Sequence, residues 1–203
     1  MPGIENKRTL FRIFVLYLFS IYTLTAGEDP PSGPNVDGQI RLGISLRQKG
    51  EFAQSISVFN EGLNLARHQG DGNGQLECLM NLGILRWNIG QIKDSNEIFH
   101  QAMSLSQKLG LKRQEAQCAA YIKIYEGYVR GKEACASGLH QDSLAQFSAA
   151  IKLAREVNSP EHEIKCLRQM SMNYLQTAKY SEFLELNNMG VKLANSIMTV
   201  QNR

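Results

Sequence analysis

This chain has almost no surplus charge. Of 203 residues, 22 are Lys or Arg and 19 are Asp or Glu, a formal net charge of +3. Residues 1–26 carry +2 of that, through Lys7, Arg8 and Arg12 against Glu5. The other 19 basic and 18 acidic side chains are interspersed and form no basic stripe, so nucleic acid is not an expected partner. Cysteine is sparse as well, at Cys78, Cys118, Cys135 and Cys166, and tryptophan occurs once, at Trp87. No Ser/His/Asp or Cys/His set can be assigned and the carboxylates are dispersed rather than paired, so no catalytic residue and no enzymatic activity are expected. The 43% of apolar residues is enough for a core and excludes a disordered polymer.

Two short motifs invite a metal or phosphate reading and lack the residues it needs. His162-Glu163-x-x-Cys166 places His162 and Cys166 one helical turn apart, but zinc takes four ligands, or three and a water, and no others stand at a fixed spacing. A polar first helical turn after Ser159-Pro160 is the expectation there. Gly70-Asp71-Gly72-Asn73-Gly74 has neither the strand and Lys-Ser/Thr end of a phosphate loop nor the ligand series and closing Glu of a calcium loop. It reads as a helix stop and flexible turn. No metal and no cofactor are expected. His68, His100 and His140 stand singly on amphipathic stretches, at surface or boundary positions.

One long apolar run is present, at the start. Lys7, Arg8 and Arg12 precede Ile13–Leu24, which is broken only by Ser20 and Thr23 and is followed by Thr25-Ala26-Gly27. A basic flank, an apolar stretch of this length and a small-residue end fit a secretory signal peptide over residues 1–26, and imply export to the periplasm or the exterior. Counted over residues 9–27 the segment approaches the ~20 residues of a spanning helix, with Arg12 inside it, so an uncleaved membrane anchor is the alternative. Residues 27–36, GEDPPSGPNV, form a Pro/Gly-rich linker that stays solvated.

From Asp37 the chain repeats itself. An offset of 40 pairs Leu42 with Leu82, Gly43 with Gly83, Gly50 with Gly90, Ser55 with Ser95, Phe59 with Phe99 and Gly70 with Gly110. A third copy lies 48 residues on, with Gly131, Gly138, Ser143, Phe147 and Ala150. Its eight additional residues make about 2.2 helical turns, and Gln114–Ala136 contains no proline, so a lengthened helix is expected there. A fourth, degenerate copy has Ala178, Tyr180, Gly190 and Ala194. Each copy reads as two amphipathic helices around a glycine turn, over about 37–70, 75–110, 112–158 and 160–200. Gly43, Gly83 and Gly131 are expected where the helices of a pair approach closely, Gly50, Gly90 and Gly138 in the turns, and the three phenylalanines between pairs. Cys78 and Cys166 fall at matching positions, about one interaxial spacing of 8–10 Å apart if their helices are neighbours. That is too far for easy bridging, so free thiols, buried or half-buried, are expected.

Leu82-Gly83, Gly90-Gln91-Ile92, Ser95, Phe99 and Ala102 resemble the tetratricopeptide repeat. Asn81-Leu82-Gly83 and the period of 40 resemble its longer subtype. The resemblance implies an all-α fold, about four helical hairpins stacked as a right-handed solenoid, and a protein–protein interaction scaffold that holds an extended partner segment in a concave groove. It places Arg41, Arg47, Asn81, Trp87, Asn88, Lys132 and Arg168 on the groove, with Tyr125, Tyr128 and Lys165 beside them. Asparagines would meet a peptide backbone, the cations its carboxylates, and Trp87 would serve as aromatic anchor, so a protein or peptide partner, of acidic character, is expected. More narrowly, Gly138, Glu161-His162-Glu163, Cys166–Ser171 and Phe183–Asn187 are similar to repeat regions preceding a caspase-like CHAT domain in exported bacterial proteins. That similarity implies the alternative role of a sensing or regulatory arm of a larger enzyme. Along Ser181–Val200 one apolar stripe (Phe183, Leu186, Leu193, Ile197, Val200) is expected to pack on its own pair. A second (Leu184, Val191, Met198) has no neighbour in the sequence, which implies a missing next repeat, self-association through the last helix, or a modestly exposed end that costs little.

Overall fold

The computed structural model describes residues 35–201, with side chains through Ile197. The leader and most of the linker lie outside the described residues, as do the side chains of Met198 and Val200. Eight α-helices and no strands occupy the described residues: α1 Val36–Gln48, α2 Phe52–Gln69, α3 Gly72–Asn88, α4 Ile92–Lys108, α5 Lys112–Ala136, α6 His140–Glu156, α7 Pro160–Gln176 and α8 Tyr180–Gln201. Each helix packs on the next in the chain. The first described helix includes Val36, which the sequence pattern leaves to the linker; Val36 is 5% exposed and belongs to the core. Among the described residues no helix is long and apolar enough to cross a membrane.

One local device ends every helix from α1 to α7. Glu51, Asp71, Gln91, Leu111, Leu139, Ser159 and Lys179 each donate their backbone N–H to the carbonyl five residues back, at 2.8–2.9 Å. The residue before each has positive φ. This closure satisfies end carbonyls of the helix and reverses the chain in few residues. Glycine fills the left-handed position at 50, 70, 90, 110 and 138, but Asn158 (φ 52) and Ala178 (φ 57) fill the last two. A Cβ in this region is strained, so Ala178→Gly is expected to raise stability by about 0.5–1 kcal/mol. Urea unfolding of the two proteins measures it, and a loss of stability would contradict the strain.

The Gly70–Gly74 stretch is not a flexible turn. Only Gly70 turns the chain; Asp71 caps α3 by accepting the N–H of Gly74 at 2.9 Å, and Gly74 is buried where a Cβ would run into Asp71 and Val36. The acid at the cap fits the positive end of the helix.

Inside the pairs α1/α2, α3/α4 and α5/α6 the same contact recurs. A Cβ on Gly43, Gly83 or Gly131 would stand 2.7–2.8 Å from the ring of Phe59, Phe99 or Phe147, so the missing side chain is the seat of the ring. The phenylalanines thus fill their own pair first, Phe99 also reaching across pairs to Tyr121, and all three are 0–1% exposed. Ser55 and Ser95 add a buried hydroxyl donated to the carbonyl of Gly43 or Gly83, at 2.7 and 2.8 Å. Ser143 lacks that partner.

As its unbroken pattern implies, α5 runs 25 residues, against 17 for α3, α4, α6 and α7. Eight residues are about 12 Å of helix, so α6 turns back along only part of α5 and α7 starts partway up it. The consequence is a contact that skips a pair: α7 reaches α3 as well as α5 and α6. In α8, Phe183, Leu186, Leu193 and Ile197 are half-buried, whereas Leu184 and Val191 are 58% exposed.

Candidate peptide-binding site

The residues expected to line a groove divide into four environments. Arg41 is exposed and Asn81 is half-buried with its amide donated to the Glu77 carbonyl at 3.0 Å; neither lines the two cavities described next. Arg47 and Asn88 share a largely apolar cavity of about 560 Å³ with Phe52, Glu161, Leu193 and Ile197. Lys132 belongs to a second cavity, of about 460 Å³, where the start of α4 (Gly90, Ile92, Lys93) faces Tyr125, Tyr128, Lys132, Glu133 and Lys165. Arg168 is exposed near this cavity, close enough to act electrostatically on Lys165 and Tyr128.

Trp87 is a correction. Only 1% of it is exposed, so it offers no open face to a peptide while α7 of its own chain covers it. Its indole stacks on His162 with centroids 4.3 Å apart and meets the Tyr128 ring edge-on at 5.0 Å. The first turn of α7 after Ser159-Pro160 is polar as expected, with Glu161 and Glu163, but His162 within it has no exposed surface. Its Nδ1 stands 2.7 Å from the Ser159 hydroxyl, and Tyr121 and Phe99 close the box at 4.9 and 6.2 Å. The shifted start of α7 brings these groups together, which is why the local pattern at Ser159-Pro160 carries no sign of it. His68 and His100 are exposed, and half-buried His140 contacts Asn173.

The second cavity is electrostatically unbalanced. Lys165 donates to the Trp87 carbonyl at 2.6 Å and lies 5.6 Å from the indole centroid. Burial, followed by repulsion from Arg168, holds its pKa below the usual lysine value. Lys132 lies 5.8 Å from the Tyr128 ring centroid. Among the described residues no carboxylate is within ion-pair distance of Lys93, Lys132, Lys165 or Arg168; the four ion pairs are Arg47–Glu161, Lys112–Glu115, Arg130–Glu126 and Arg155–Glu163. The first turn of α4 adds the positive end of a helix dipole to the same wall. Glu133 is the one acidic residue lining it.

The thiols are free, with Cys78, Cys118 and Cys166 buried and Cys135 half-buried. Burial raises the first two to about 11 and Cys166 to about 12, far from the thiolate needed for nucleophilic or redox chemistry. Among the described residues no three His, Cys, Asp or Glu side chains converge as a metal site would require.

Comparison with models of known families returns no match, and comparison with curated proteins returns none.

Proposed function

We propose that this chain is a protein-interaction scaffold of about four tetratricopeptide-type hairpins, stacked as a right-handed solenoid, that takes up an extended acidic segment of a partner. In this reading residues 1–26 are the export address, or residues 9–27 an anchor. The carrying observation is the basic cavity of Lys93, Lys132, Lys165 and nearby Arg168, with Tyr125 and Tyr128 on its walls. A half-buried ammonium group without a counter-ion gains from each carboxylate that approaches, and tyrosine faces supply apolar contact for the neighbouring side chains of a peptide.

The double variant Lys132→Glu/Arg168→Glu tests this reading. Both side chains are exposed, so stability should stay within about 0.5 kcal/mol. Affinity for a hexaglutamate probe should fall about tenfold or more, and wild-type binding should weaken as salt rises. Titration calorimetry with hexaglutamate and hexalysine decides the matter. Equal binding of hexaglutamate by wild type and variant, or preference for hexalysine, would overturn the reading.

A further inference from the structure

The first turns of α7 sit among side chains of four other helices. Glu161 Oε1 accepts from Arg47 Nη1 of α1 at 2.9 Å, with the two side chains 17% and 24% exposed. His162 fills the box made by Trp87 of α3, Phe99 of α4 and Tyr121 of α5. Lys165 Nζ donates to the Trp87 carbonyl. An acid, a flat ring and a base at positions i, i+1 and i+4 therefore meet a guanidinium, an aromatic box and a carbonyl.

The fit is incomplete at its centre. Arg47 Nε, Trp87 Nε1 and His162 Nε2 are all buried without a hydrogen-bond partner, and such groups weaken the structure that encloses them. Stacking, one partly exposed ion pair and the hydrogen bonds of Lys165 to the Trp87 carbonyl and of Ser159 with His162 hold the segment in against that cost. The segment also leaves the turn at Asn158, one of the two non-glycine residues with positive φ. Arg47 and Trp87, two residues for which the resemblance implies partner binding, are thus engaged by the chain itself, with donors to spare.

We propose that Arg47 together with the Trp87–Phe99–Tyr121 box is a docking site for a partner segment presenting a carboxylate followed directly by a flat ring, and that Glu161-His162 occupies this site until such a segment displaces it. The proposal rests on the peptide-binding reading, but not on the lysine cavity. A displacing segment with a side-chain acceptor beside its ring would satisfy Trp87 Nε1–H, which His162 leaves unpaired.

The test uses the full chain and a synthetic peptide with the sequence of residues 157–170, beside the same peptide carrying Glu161→Gln and His162→Ala. Trp87 is the only tryptophan, so its emission reports the box directly, and hydrogen exchange reports release of residues 159–165. Glu161→Gln in the protein removes the resident carboxylate and leaves Arg47 free. It should tighten binding of the unmodified peptide about fivefold, the equivalent of the ~1 kcal/mol such a pair contributes. The peptide should also change Trp87 emission and speed exchange at 159–165 in both proteins. Equal affinities for wild type and Glu161→Gln would overturn the proposal, as would equal binding of the doubly substituted peptide. So would exchange at 159–165 as slow as in α4 and α5 with Trp87 unresponsive to millimolar peptide. Hexaglutamate binding that persists in that last case would leave the lysine cavity standing and the box closed.

Discussion

Phe99→Ala is expected to lower the free energy of unfolding by about 3–5 kcal/mol. The ring is 1% exposed, rests on Gly83, and stacks on Tyr121 with centroids 4.3 Å apart and planes 13° from parallel. It therefore joins α3 to α4 within a pair and α4 to α5 across pairs. Its loss leaves a cavity whose floor is a glycine, and glycine has no side chain that can collapse into the gap. Domains of this kind have about 5–15 kcal/mol in total, so the variant should lose a large share of its stability. Urea unfolding followed by circular dichroism measures the change. A loss under about 1 kcal/mol would mean that the ring is not the joint between pairs.

Acid is expected to destabilise the fold through His162. Burial, with repulsion from Lys165 as a second cause, lowers its pKa from 6.5 to about 3. The Ser159 hydroxyl contacts Nδ1, while Nε2 has no partner, and the Glu161 carboxylate is committed to Arg47. The folded value thus lies below the unfolded one, and the unfolded chain takes the proton first. The His162 contribution is complete above about pH 6.5 and is lost as pH falls toward 3, at about 1.4 kcal/mol per unit. At pH 5 the loss is about 2 kcal/mol. His162→Phe keeps a flat ring in the box and removes the titration, so the slope of stability against pH between 6.5 and 5 should flatten in that variant. Equal slopes in the two proteins would show that the imidazole protonates without leaving its site.

The cavity electrostatics and the aromatic box differ in how far local pattern reveals them. Lys132 and Arg168 are legible as exposed cations on the first helices of their pairs, and Lys165 stands beside them. Lys93 is not, since it opens a second helix and reaches the cavity only because the turn at Gly90 carries the start of α4 there. Trp87 is misread for a related reason. The resemblance implies a groove-lining position for it on α3, but a resemblance does not reveal that α7 of the same chain covers it. His162 reads as polar in a polar first turn, and only its neighbours from α3, α4 and α5 make it a core residue.

What the sequence determines by itself is everything set by period and by residue shape. Helices appear where apolar residues recur at helical spacing, turns where glycine can take positive φ, and close helix approaches where Gly43, Gly83 and Gly131 carry no side chain. The unbroken run in α5 likewise requires a longer helix, because nothing in it stops one. What only the tertiary structure decides is where that extra length sends the chain. About 12 Å added to one helix displaces every later element, and contacts such as Arg47–Glu161, 114 residues apart, depend on the sum of all the turns and packing angles between them. No window of sequence holds that sum, so the residues that close the box, Trp87 and His162, acquire their roles from the fold alone.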